Sequence, residues 1–230
     1  MEEEEDVMIK ECKISMPFYK IAYAISFVII LSLVRGVFIS YEVGIALEPQ
    51  IAILAAAFCA DTYAVEIAGN RSEVWRLYPM KKRLHAIGMR MVIQDLFLFL
   101  LAAAGYGLFF LFQKPEPSGM IYEEAAGETM QFLVFLASCL ITIVFWGIWS
   151  GIIACIFRSM WFGIGGSLIL WILTNSSSGD EHLGKWNLFS YSFRNVENSS
   201  DLSWLAGKGV CLALCVVIAA ALPYILKKRG

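Results

Sequence analysis

The sequence predicts an all-α membrane protein with about six transmembrane helices, folded as a single domain over residues 1–230. Hydrophobic residues make up 59% of the chain and charged residues only 17%. The mean hydropathy of +0.67 is far above that of an ordinary soluble domain. Six apolar runs have about the length needed to cross the hydrocarbon core. Lysine and arginine are concentrated in alternate connections between these runs.

Residues 1–20 precede the first apolar run. The opening "MEEEED" is acidic where a signal peptide would be basic, so we expect a solvated cytoplasmic tail that is not cleaved. The following "VMIKECKISMPFYK" alternates apolar residues with lysines and contains Pro17. This pattern predicts a short amphipathic helix that lies on the inner membrane surface before the chain enters the bilayer.

The six apolar runs give the predicted crossings. Glu48 and Pro49 are expected to shorten the second run, and the fifth is short and rich in glycine, so five crossings is the alternative. The predicted bounds are Ile21 to Ser40, Ala46 to Val65, Ala86 to Phe112, Gln131 to Phe157, Met160 to Thr174 and Lys208 to Leu226.

The distribution of positive charge predicts the orientation in the plasma membrane, because cytoplasmic loops are enriched in lysine and arginine. With both termini cytoplasmic, the outer side keeps only Arg35, Lys114, Lys185, Arg194 and Lys208. The inner side collects Lys10, Lys13, Lys20, Arg71, Arg76, Lys81, Lys82, Arg83, Arg90, Arg158, Lys227, Lys228 and Arg229.

The predicted extracytoplasmic segment, residues 175–207, begins with the polar run "NSSSGDEHLGK" and continues with the aromatic run "WNLFSYSF". Two structures suit its second half. It dips into or lies on the outer interface with Trp186, Tyr191 and Trp204 near the headgroups, or it forms a cap over the outer helix ends.

Sequence motifs argue against an enzyme. The chain has no HExxH pair, no GxSxG elbow and no phosphate-binding loop, and "AGKGV" around Lys208 lacks both the first glycine and the hydroxyl residue of such a loop. We therefore expect no cofactor or metal in this chain and no nucleic-acid partner. The ionisable residues nearest membrane depth are Arg35, Asp61 and Asp95, each placed toward an end of its run.

Two further patterns suggest contacts. Gly147 and Gly151 form a GxxxG pattern that lets helices approach closely, within the chain or between two copies. Residues 66–85 carry a predicted amphipathic helix that Ser72 caps and Pro79 ends. The basic residues of this loop suit anionic lipid, whereas its carboxylates and aromatic rings favour contact with a protein.

Several motifs together resemble the six-helix permease subunits of type-2 ABC transporters, which are mostly bacterial exporters. In that family an acidic residue at the end of the second helix is followed by a short segment and a P-x-basic turn before the third helix. Glu66 and the later "EVWRLYPMKKR" are similar in order and spacing. The amphipathic segment before the first run, the aromatic outer segment and the W-x-x-G-K of Trp204 to Lys208 are also similar. The likeness covers nearly the whole chain.

This resemblance implies that a second permease chain completes the transport path and that separate ATPase subunits bind ATP and Mg²⁺. It also implies that the 66–85 loop contacts the ATPase. The residues assigned to that contact are Glu66, Arg71, Glu73, Trp75, Arg76, Tyr78, Pro79, Lys81 and Arg83. Two alternatives are a membrane-anchoring subunit that recruits a cytosolic protein and an ATP-independent channel or carrier.

Overall fold

The computed structural model describes residues 10–67, 77–120, 127–194 and 201–229. Within these ranges the regular secondary structure is helical, and Ile39 and Glu116 form one isolated bridge. A short helical segment at 10–15 precedes the main helices. These are α1 (Phe18–Val34), α2 (Ser40–Cys59), α3 (Asp61–Ile67), α4 (Met80–Gln113), α5 (Glu128–Phe157), α6 (Met160–Thr174), α7 (Ser177–Leu183) and α8 (Trp204–Arg229). Single 3₁₀ turns form at Ser118–Met120 and Gly184–Trp186.

Four helical stretches are long and apolar enough to cross a membrane by length and composition: Ser40–Glu66, Met80–Gln113, Glu128–Phe157 and Trp204–Lys228. The apolar helices α1 and α6 are shorter, with 17 and 15 residues. At 1.5 Å per residue they are about 26 and 23 Å long, against a hydrocarbon core of about 30 Å. The all-helical class is confirmed for the described residues.

The ends of α1 and α2 differ from the predicted bounds because the chain between them pairs with the connection that follows α4. The Glu116 amide donates to the Phe38 carbonyl (2.8 Å), and the Ser40 amide donates to the Glu116 carbonyl (2.9 Å). Helix α1 therefore ends at Val34, not at Ser40. Helix α2 begins at Ser40, where the Glu42 carboxylate accepts from the Phe38 amide.

The prediction that Glu48 and Pro49 shorten the second crossing was wrong. Both residues lie inside α2 and are buried. Proline has no amide hydrogen and normally disrupts a helix interior. Here Trp171 Nε1 of α6 donates a hydrogen bond to the Pro49 carbonyl (2.8 Å), so α6 contacts α2 at the proline.

Helix α5 lies at the centre of the bundle and packs against α2, α4, α6 and α8. Hydrogen bonds show that successive long helices run in opposite directions. Lys20 at the start of α1 bonds the Phe58 carbonyl near the end of α2, and Gln113 at the end of α4 bonds the Ser32 carbonyl near the end of α1. Leu226 of α8 packs with Tyr63 and Ile87, so residues 10 and 229 lie at the same end of the bundle.

We call this end, which carries Lys20, Lys81, Arg83 and Arg158, the basic end. The opposite, capped end is covered by residues 184–194. There Phe189 and Tyr191 are fully buried, with Phe189 stacked on Trp146 and Tyr191 edge-on to Trp204. Of the three aromatic residues named for this segment, Tyr191 and Trp204 are buried and Trp186 is exposed.

Gly207 sets how closely α8 approaches the cap. A Cβ atom at this position would lie 1.9 Å from the Asn187 carbonyl oxygen and 2.3 Å from Ser190 Oγ, whereas one at Gly209 would meet nothing within 4 Å. Gly207→Ala should therefore lower the stability of the purified protein by roughly 1–3 kcal/mol through overpacking. Gly209→Ala should be neutral or stabilising, since alanine favours a helix.

Thermal unfolding in detergent, followed by tryptophan fluorescence, measures this difference. Equal melting temperatures for the two variants would show that the cap does not pack on α8 in this way.

Candidate functional site

Glu48 and Lys208 form an ion pair inside the capped end. Their side chains are 0% and 1% exposed. Glu48 lies eight residues after the start of α2 and Lys208 four residues after the start of α8, and both contact residues of the cap directly. Lys208 Nζ also donates to Thr142 Oγ1 (2.8 Å) and to the Leu188 carbonyl (3.0 Å).

Hydroxyl groups satisfy the remaining bonding capacity of the Glu48 carboxylate. Ser138 and Thr142 of α5 lie 2.9 and 2.7 Å from Oε1, and Ser192 of the cap donates to Oε2 at 2.8 Å. A buried charge is tolerated when it is paired and its other oxygens are hydrogen-bonded. The cluster thus joins α2, α5, α8 and the cap through one carboxylate.

The sequence pattern did not predict this cluster. Glu48 was expected to shorten a crossing, and Lys208 was expected among the charges of the outer side. The available signal was a carboxylate and a lysine in two apolar runs, because ionisable side chains within such runs usually pair with one another.

A second cluster at the basic end centres on Arg90 of α4, which is 2% exposed. Its guanidinium group forms ion pairs with Glu11 of the 10–15 segment and with Glu66 of α3, the latter at 2.5 Å, and Nη1 donates to the Thr62 carbonyl (3.4 Å). The planar guanidinium suits such multiple contacts. Arg90 therefore connects the N-terminal segment to both helices that flank residues 68–79.

A third cluster anchors the N-terminal segment to the end of α2. Lys20 pairs with Asp61 and donates to the Phe58 carbonyl (2.8 Å). Gln94 of α4 accepts from Thr62 Oγ1 (2.7 Å) and donates to the Ser15 carbonyl (3.0 Å). The short helix predicted before the first crossing is thus packed into the basic end of the bundle.

The residues predicted to contact an ATPase include both buried and exposed side chains. Glu66 is paired with Arg90, and Arg83 is buried. Tyr78, Pro79 and Lys81 are exposed, as is the neighbouring Leu77, at 84%. The predictions for Arg71, Glu73, Trp75 and Arg76 fall outside the described residues.

The three ionisable residues expected nearest membrane depth differ in exposure and in pairing. Arg35 is exposed at the end of α1, and Asp61 is paired with Lys20. Asp95 is the sixteenth of 34 residues in α4, which begins six residues before the predicted start. Asp95 Oδ1 is buried without a hydrogen-bond partner among the described residues.

The GxxxG pattern packs within the chain. A Cβ atom at Gly147 would lie 3.2 Å from Cys59 Sγ and 3.3 Å from Asp95 Oδ1, and one at Gly151 would lie 3.9 Å from the Cys59 carbonyl oxygen. The small residues of α5 therefore allow α2 to approach closely, which is the intrachain alternative.

The described residues contain no group of three or more histidine, cysteine, aspartate or glutamate side chains arranged to hold a metal ion. Comparisons with protein-family models, with curated proteins and with solved structures each find no match.

Glu48→Gln should destabilise the protein because it leaves the Lys208 ammonium buried without a counter-charge. Removing one partner of a buried pair costs roughly 3–5 kcal/mol, whereas replacing both partners by neutral groups costs less. The Glu48→Gln/Lys208→Met double variant should therefore unfold at a higher temperature than Glu48→Gln alone.

The matched control is Glu181→Gln, which changes an exposed carboxylate near the same end. Melting temperatures of the purified variants in one detergent test the prediction. The prediction fails if Glu48→Gln and the Glu181→Gln control have the same melting temperature. It also fails if the double variant has the lowest melting temperature of the three variants.

Proposed function

We propose that this chain is the permease subunit of an ATP-driven exporter in the plasma membrane, which couples to separate ATPase subunits through residues 66–85. A second permease chain, identical or different, completes the substrate path. ATP and Mg²⁺ bind to the ATPase subunits, and this chain is not itself an enzyme. The observation that carries the proposal is the connection made by Arg90 between both helices that flank the loop.

The direction of the helices supports six crossings. In this topology α1 and α6 cross as the two short helices, and both termini lie at the basic end. That end then faces the cytoplasm, as the enrichment of lysine and arginine in cytoplasmic loops favours. Helix α2 continues into α3 as one stretch that ends at Glu66, and α4 begins at Met80, so the helices that flank residues 68–79 have their adjoining ends on that side.

Arg90 gives this connection a mechanical link to the bundle. Glu66 lies at the end of α3 and Arg90 lies in α4, so a displacement of the loop is transmitted to both helices together. Glu11 adds the N-terminal segment to the same unit. ATP binding that changes the spacing of two ATPase subunits would thus move three connected elements in each permease chain, as coupling between sites requires.

The described part of the loop has a surface that suits a protein partner. Leu77 is 84% exposed and Tyr78 is 50% exposed, and Lys81 follows on the first turn of α4. An apolar side chain, an aromatic ring and a positive charge are typical of a contact with a mixed protein surface.

The same surface also suits a subunit that only recruits a cytosolic protein, and the bundle alone suits an ATP-independent channel or carrier. Purification of the tagged chain from its host in mild detergent, with mass spectrometry and an ATP hydrolysis assay, separates these functions. A stoichiometric ATPase with a phosphate-binding loop supports the exporter. A partner whose binding does not respond to nucleotide supports the recruiting subunit, and transport without any ATPase supports the channel or carrier.

Leu77→Asp should weaken association with the ATPase, because the aspartate must be desolvated in the apolar part of the contact. The matched control is Leu202→Asp, an equivalent change at an exposed leucine of the capped end. We expect Leu77→Asp to lose most of the co-purified ATPase activity while Leu202→Asp retains it.

Reversal of two charges, Glu73→Arg with Arg76→Glu, should act in the same direction. Both variants must elute as folded protein in size-exclusion chromatography. Retention of the ATPase and of its activity by both would show that residues 66–85 do not form the contact.

A further inference from the structure

A cavity of about 160 Å³ lies between α3, α4, α5 and α8, toward the basic end. Its walls are almost entirely apolar and include Tyr63, Ile87, Gly151, Cys155, Ala219 and Leu222. A cavity of this volume accommodates an apolar group of about the size of benzene, or a few methylene groups of a chain. Ala219 is exposed on α8, so the cavity reaches the outer surface of the bundle, which faces lipid in a membrane protein.

Polar groups occur where the cavity meets the basic end. Tyr63 is 3% exposed, and its hydroxyl has no nitrogen or oxygen partner among the described residues. The neighbouring group is the Cys155 thiol, which forms only weak hydrogen bonds. A buried hydroxyl in this condition retains the capacity to bind a further polar group.

Arg83 provides a positive charge at the same place. It is 7% exposed, and within the described part of the chain its Nε and Nη1 atoms have no hydrogen-bond partner. Nη2 has only a weak contact with Met80 Sδ, at 3.7 Å. A guanidinium group buried without an anion is costly, so this environment favours the binding of one.

The helix register places Arg83 beyond the end of the cavity. Arg83 precedes Ile87 by four residues, so the two share a face of α4, and helical side chains lean toward the helix N-terminus. Arg158 follows Cys155 by three residues and, like Arg83, is near enough to the Tyr63 hydroxyl to act on it electrostatically. The positive end of the α4 dipole also favours an anion here.

We propose that the cavity and Arg83 form a binding site for an anionic phospholipid of the adjacent leaflet. Part of one acyl chain occupies the cavity, and the phosphate accepts hydrogen bonds from Arg83 and Tyr63. The bilayer is the source because the cavity opens beside α8. The inference depends on the membrane location of the bundle and not on the exporter function.

Native mass spectrometry of delipidated protein titrated with phosphatidylglycerol or phosphatidylcholine tests the site. Wild-type protein should retain one phosphatidylglycerol in preference to phosphatidylcholine. Arg83→Gln should bind phosphatidylglycerol roughly tenfold more weakly, as the loss of a charge-assisted hydrogen bond implies. Arg83→Lys keeps the charge without the guanidinium fork and should bind with intermediate affinity.

Ala219→Phe tests the cavity, because the ring fills the volume assigned to the acyl chain. Ala220→Phe is its control, since Ala220 is exposed on the same helix and does not line the cavity. The first variant should lose the retained lipid and the second should keep it, with unchanged melting temperatures.

Equal binding of the two lipids by wild-type protein would overturn the proposal. The proposal would also be overturned if Arg83→Gln lost phosphatidylglycerol while Ala219→Phe retained it fully. That combination would mean that the lipid binds to the positive charge alone and that no acyl chain occupies the cavity. If Arg83→Gln fails to fold, the comparison of Ala219→Phe with Ala220→Phe and the Arg83→Lys result decide the question.

Discussion

Pairing of buried charge is the constraint on which this bundle depends. An ionised side chain in an apolar helix bundle is costly unless a counter-charge and further hydrogen bonds surround it. Glu48 and Lys208 satisfy this requirement at the capped end and Arg90 satisfies it at the basic end, whereas the buried Arg83 has no ion-pair partner among the described residues. Each cluster joins elements far apart in sequence, so the requirement for pairing also determines which helices and segments are held together.

The paired charges at the two ends of the bundle join different elements. The Glu48 cluster is closed, since hydroxyl groups of α5 and of the cap complete its bonding, and its role in the described structure is to hold α8 and the cap on the bundle. The Arg90 cluster lies beside the connection between α3 and α4 and includes the N-terminal segment. The capped end is thus held together by a closed cluster, whereas the basic end is held together by a cluster that joins α3, α4 and the N-terminal segment.

Local sequence patterns predicted the helices but not the long-range pairs. The bounds of α6 agree with the prediction because polar residues flank a short apolar run on both sides. The predicted end of α1 was wrong because the backbone after this helix pairs with Glu116. No pattern within residues 21–40 indicates that this distant residue is the partner. Glu48 and Lys208 are 160 positions apart, so their pairing requires the fold itself. The aromatic composition of residues 186–193 was noted, but their burial as a cap depends on contacts with Trp146 and Trp204.

We propose that the loop before α4 moves with nucleotide and carries α3, α4 and the N-terminal segment with it, relative to the capped end. It is tested most directly by the distance between a spin label at position 77 and one at position 202, measured by double electron–electron resonance in the co-purified complex. The account predicts that ATP with vanadate shifts this distance distribution relative to the nucleotide-free complex. Identical distributions, in a complex that hydrolyses ATP, would contradict it.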